Sequence, residues 1–122
     1  MAVDREFETY LGELLEPVGS VTMRRMFGGL AIFRHGLMFG LVVEDDRVCL
    51  KADDGNRQAF LDENLEEWAY EGKGKPMKMG YWHIPERLLE DTEEMAEWAL
   101  HAFDAAARID QLKPPSQRKL KL

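Results

Sequence analysis

Two short basic stretches hold the residue types most able to do chemistry or recognition. One is Arg24-Arg25-Met26-Phe27-Gly28-Gly29, and the other is Gly72-Lys73-Gly74-Lys75-Pro76, which follows Tyr70-Glu71. The first runs two arginines into a glycine pair within strand-like sequence. Glycine weakens strands and charge is costly to bury, so the segment either shapes a sheet or marks a site. Neighbouring side chains of a strand face opposite ways, so one arginine should reach solvent and the other the helical layer or a sheet end. The inward one then requires a carboxylate partner. A salt bridge plus a glycine bulge that coils the sheet is the structural reading, and a binding contact is the alternative.

The second stretch has the composition of a phosphate-binding loop but not its spacing. A glycine is needed where Ala69 stands and Ser or Thr where Pro76 stands, and a dinucleotide fingerprint begun at Gly72 fails at Met77. His35, His83, His101 and Cys49 lie in four separate segments with no ligand spacing, so no metal is expected. Cys49, inside Val48-Cys49-Leu50, reads as a small buried hydrophobe and not as a nucleophile. The acid pairs Asp45-Asp46 and Glu93-Glu94 sit where a turn and a helix start account for them. With no catalytic constellation, neither enzymatic activity nor a cofactor is expected.

These residues belong to a chain of 122 residues, enough for one domain with a real core. At 45% apolar and 32% charged the composition is that of a folded globular protein. A formal charge of −7 opposes sequence-independent nucleic-acid binding over the whole surface, which rests on Lys and Arg neutralising phosphates. The single cysteine excludes an internal disulfide or a thiolate zinc cluster. The acidic start and the absence of any long apolar run argue against a secretory signal or membrane span, so a cytoplasmic location is expected.

The elements that must position the basic stretches are legible from periodicity. Phe7, Tyr10, Leu11, Leu14 and Leu15 recur at helical spacing between Asp4 and Glu16, and Pro17 closes that helix. Residues 23–27, 30–33, 37–43 and 47–51 are short strands separated by turn signals, among them Gly28-Gly29. Such short links imply an antiparallel meander. Asp53-Asp54-Gly55 offers caps for a helix from Asn56 to about Leu65. Two further strands, at 68–70 and 77–84, flank the glycine–lysine hairpin, and Pro85 ends the second. A last helix begins with a capping box of Asp91 and Glu94 and has one apolar face of Met95, Trp98, Ala99, Ala102, Phe103, Ala106 and Ile109. Residues 1–112 are thus expected to form the domain, and residues 113–122 a basic tail that frays. The fold class expected is α+β: two layers, with an antiparallel sheet of five to six strands packed against N-terminal, middle and C-terminal helices.

Arg24-Arg25-Met26-Phe27-Gly28-Gly29, the strand 37–43, Leu50-Lys51-Ala52-Asp53, Asn56-Arg57, Phe60, and Gly72-Lys73-Gly74-Lys75 with Met79, Tyr81 and Trp82 together resemble the N-terminal domain of the TfoX/Sxy family. The resemblance runs from about Phe7 to Phe103. Two-domain members of that family regulate natural competence as transcription coactivators alongside the cyclic-AMP receptor protein. The resemblance implies a sheet covered by helices, no known enzymatic activity and a regulatory role. It also implies a candidate binding surface on Arg24, Arg25, Lys51, Asn56, Arg57, Lys73 and Lys75. No second helical domain follows Leu112 in the sequence, so the chain reads as a stand-alone first domain.

Three modes of action follow. A non-enzymatic regulatory module would bind a protein partner through the edge around Arg24-Arg25 and the lysine hairpin, a basic cluster that orients an acidic partner. A nucleic-acid accessory protein would use the same bases with the tail residues Lys113, Arg118, Lys119 and Lys121. A small-molecule pocket would lie between helix and sheet, built from Met26, Phe27, Phe39, Met79 and Trp82, residues that also suit a plain core. The oligomeric state is open between monomer and homodimer.

Overall fold

The computed structural model describes residues 4–26, 28–71 and 74–121. Chain order is α1 (Arg5–Leu14), β1 (Val21–Met26), β2 (Gly29–Arg34), β3 (Leu37–Val43), β4 (Arg47–Lys51), α2 (Arg57–Asp62), β5 (Glu67–Tyr70), β6 (Met77–His83) and α3 (Thr92–Gln111), with short 3-10 turns between some of them. The strands form one antiparallel sheet in the order β1-β2-β3-β4-β6-β5. The meander expected from the short links holds through β4. Then β6 pairs with β4, and β5 becomes the far edge.

Alternation along the strands sorts side chains onto two faces. Leu30, Ile32, Phe39, Val42, Leu50 and Trp82 point into the main core, where Leu11 and Leu14 of α1, Phe60 of α2 and Met95, Ala99, Ala102 and Phe103 of α3 cover them. Small alanines on α3 let the helix lie close to β3 and β4. Phe60 meets the Trp98 ring edge-on at 5.0 Å, and Phe103 meets Phe39 likewise at 6.3 Å. The opposite face carries a smaller cluster of Leu41, Val43, Cys49 and Tyr81, joined by Met38 and Trp68, to which no helix contributes among the described residues.

The glycine pair does not form the bulge expected of it. Gly28 stands in the β1–β2 turn at φ 72, and Gly29 opens β2 opposite Met26. A Cβ on Gly29 would lie 2.2 Å from the Val42 carbonyl oxygen, so only glycine lets β2 approach β3 there. The sheet is irregular instead between Glu67 and Ala69 of β5 and between Ile32 and Phe33 of β2, which face Gly40 and Met38 and leave Phe39 as the extra residue. Phe39 and Gly40 therefore both address the helical layer, and a Cβ on Gly40 would stand 3.0 Å from Ile32 Cδ1.

Helix ends follow local chemistry. The Glu94 amide donates to Asp91 Oδ1 at 3.0 Å, which caps α3, but the reciprocal half of the expected box is missing. The Glu94 carboxylate instead accepts from Arg87 and from the Trp98 indole. Arg87 reaches Glu63 as well, which joins the end of α2 to the start of α3. The α2 helix is shorter than expected and ends at Asp62.

The segment expected to fray is folded back. Asp110, on α3 and 1% exposed, accepts the amides of Lys119 at 2.8 Å and Leu120 at 3.1 Å on its two carboxylate oxygens. The Lys121 amide donates to the His35 carbonyl, and Leu120 packs against the main core. Two amides and an apolar contact outweigh the solvation the tail would otherwise keep.

Candidate binding face

The two arginines of the opening motif divide between the faces of β1 as strand geometry requires. Arg25 reaches the helical side, where its Nη2 lies 2.8 Å from Glu8 Oε1 of α1. Arg24 reaches the helix-free side and stacks over the Phe33 ring at 5.0 Å. The carboxylate partner required of the inward arginine is therefore Glu8, at a partly exposed site.

Lys51, at the end of β4, also lies on the helix-free side. Its Nζ donates to the Met79 carbonyl at 2.8 Å and stands 4.6 Å over the Tyr81 ring. Burial lowers the lysine from its ordinary value, the charge of Lys113 lowers it further, and Glu67 offsets part of this. Gly80, at φ 82, has no side chain to obstruct the ammonium, since a Cβ there would sit 3.2 Å from Nζ. Tyr81 itself is pushed up to about 12 by burial, so its hydroxyl stays protonated at neutral pH.

The remaining candidate residues have other work. Asn56 accepts the Asp53 amide at 2.8 Å and donates to the Lys51 carbonyl at 3.0 Å, so it clamps the β4–α2 loop. Arg57 pairs with Asp54 in the same loop. Lys75 is exposed between β5 and β6, and Lys73 lies outside the described residues. In the sheet order β1 and β5 are opposite edge strands, so Arg24-Arg25 and the lysine hairpin do not share one edge, although the β1–β2 turn and Tyr70-Glu71 line a common cavity.

The expected pocket between helix and sheet also dissolves. Phe39 and Trp82 are plain core, Met79 is exposed, Met26 is half-buried at the end of β1, and Phe27 lies outside the described residues. A cavity of ≈490 Å³ lies instead on the helix-free side, between the β1–β2 turn, the end of β3 and β5.

Arg47, Cys49 and Lys51 alternate along β4 and share the helix-free face; only Arg47 escaped notice in the sequence, although period two points to it. The Cys49 Sγ lies 3.5 Å from His83 Nδ1. Burial pushes the thiol up to about 12 against the pull of Arg47, so Cys49 is protonated and inert. Burial and Arg47 both lower His83, which keeps its imidazole neutral. Neither His35 nor His101 joins this pair: His35 packs edge-on against Phe103, and His101 is exposed on α3.

Charge is distributed unevenly between the sides. On the helical side Arg25, Arg57, Arg87 and Arg108 are each ion-paired to a carboxylate, and Arg34 lies over the Phe103 ring and donates to the Gly19 carbonyl. On the helix-free side Arg24, Arg47 and Lys51 are held by rings and backbone carbonyls, and none of the three is in an ion pair among the described residues.

The result is a two-layer α+β domain with one sheet face packed under helices and the other bearing cations over aromatic rings. The sequence matches the TfoX N-terminal domain family over residues 13–106, and the chain belongs to that family. No curated protein matches it. Among the described residues no helix is long and apolar enough to cross a membrane.

Proposed function

We propose that this domain is a non-enzymatic regulatory module, of transcription or competence, that acts by docking an acidic protein partner on the helix-free face of its sheet. Family membership supports the regulatory part of this reading. The observation that carries the docking part is the separation of charge. Arg24 and Lys51 stand on the helix-free side, which also holds the cavity acids Glu44 and Glu71, while α1 carries Glu6 and Glu13 and α3 carries Glu93 and Glu97, none of these in an ion pair among the described residues. Unpaired cations on the sheet and unpaired acids on the helices favour an acidic partner at the sheet face.

Single-stranded nucleic acid is the second reading, since cations beside aromatic rings on an open sheet also suit it. The rings beside the cations weigh against it: Tyr81 is 5% exposed under Lys51, and Arg24 covers Phe33, so neither offers a free face for base stacking, and exposed ring surface on that side is left to Tyr70 of β5. Affinity capture from the native cell separates the two. The expected result is an acidic protein retained after nuclease treatment and lost with Arg24→Glu and Lys51→Glu together. Retention by the double variant, or capture abolished by nuclease, contradicts the proposal.

A further inference from the structure

The cavity on the helix-free side has a lining that protein docking does not explain. Its ≈490 Å³ falls within the range of small-molecule sites, roughly 300 to 1,000 Å³. Val43 supplies a buried apolar floor. Trp68 and Tyr70, two residues apart on β5, supply a wall of two rings with centroids 6.0 Å apart, tilted by 60°. Three charged residues also line the cavity: Arg47, Glu44 and Glu71. Arg47, which is exposed, donates through Nε to the Glu44 backbone carbonyl at 3.2 Å, a contact that leaves its charge unneutralised. None of the three is in an ion pair among the described residues.

A ligand of one charge would leave groups of its own sign facing it, which repels it. A simple anion meets Glu44 and Glu71, and a simple cation meets Arg47. A ligand with both charges on neighbouring atoms meets neither problem. A carboxylate suits the guanidinium fork, an ammonium suits the two glutamates, and an apolar group suits the rings and Val43.

We propose that this cavity binds a free α-amino acid with an aromatic or large apolar side chain, its carboxylate on Arg47 and its ammonium toward Glu44 and Glu71. This ligand is separate from the protein partner, and its binding is read on the isolated domain without that partner.

Calorimetric titration with L-phenylalanine, N-acetyl-L-phenylalanine and L-phenylalaninamide tests it. The first carries both charges, the second lacks the ammonium and the third lacks the carboxylate. Saturable one-to-one binding of L-phenylalanine is expected, with each blocked analogue weaker by about 10- to 100-fold, the loss of one charge-assisted contact. Arg47→Gln should then bind L-phenylalanine and its amide alike, and Trp68→Ala should weaken all three. Absence of saturable L-phenylalanine binding up to ~10 mM, a concentration that would reveal even a millimolar site, overturns the proposal. Equal binding of the three ligands by the unaltered domain overturns it as well, a comparison that does not depend on either variant folding.

Discussion

Arg25 of the edge strand β1 is tied to Glu8 of α1 at 2.8 Å, while its neighbour Arg24 turns to the other face and covers Phe33. The two arginines therefore have separable roles. A double-mutant cycle with Arg25→Ala and Glu8→Ala should give a coupling of about 0.2–1 kcal/mol, the range for a partly exposed pair. Arg24→Ala should leave urea stability within about 0.5 kcal/mol of the parent, as for ordinary surface changes, and weaken partner binding. Equal loss of stability in both arginine variants would show that they act together.

Adjacent glycines should respond differently to alanine. At Gly28 the added Cβ meets open space but the backbone is left-handed, a cost of about 1 kcal/mol. At Gly29 the Cβ would collide with the Val42 carbonyl oxygen, a ladder atom that moves only if β2 and β3 part. Gly29→Ala should cost about 3 kcal/mol, the upper end of overpacking. Urea unfolding of the two variants checks the order, and a milder effect at Gly29 would refute the close approach.

Asp110 gives the acid limb of stability a distinct component. Burial pushes its carboxyl up, but the Lys119 and Leu120 amides and the charges of Lys113 and Arg118 outweigh this and hold it below the ordinary aspartate value. A carboxylate with a depressed folded pKa stabilises above its unfolded value of about 3.9, and that stability is lost as pH falls through the folded pKa. Asp110→Asn should make the decline below about pH 4 shallower. It should not flatten it, because Arg108 holds Asp53 low and Arg87 holds Glu63 and Glu94 low in the same sense. The variant should also speed hydrogen exchange at Lys119 and Leu120, and unchanged protection there would mean that the tail is held by something else.

Cys49 should be silent toward a thiol-reactive disulfide reagent in native buffer, since it is fully buried and its thiol is pushed up to about 12. Labelling should track the opening of the sheet and become rapid in denaturant. Fast labelling of the folded protein would contradict the burial.

Much of this architecture was legible in the sequence because periodicity and turn residues report local geometry. The α3 stripe from Met95 to Ala106 and the strand 37–43 are of that kind. The strand order was not legible: pairing of β6 with β4 is a long-range choice that no spacing records. Asp110 escaped notice because an acid late on a helix looks solvated, and its partners are backbone amides without a sequence signature. The division of Arg24 and Arg25 followed from strand alternation alone. Their place on a different edge strand from the lysine hairpin did not, because it depends on which strands form the edges.

The most direct test of docking on the helix-free face is the affinity of the captured partner for the domain, measured across a salt series with charge variants of each side. Arg24→Glu with Lys51→Glu should abolish binding and its salt dependence, whereas Glu93→Ala with Glu97→Ala on α3 should leave affinity unchanged or raise it. Binding that survives reversal of the two cations and falls when the α3 acids are removed would place the partner on the helical side and contradict the account.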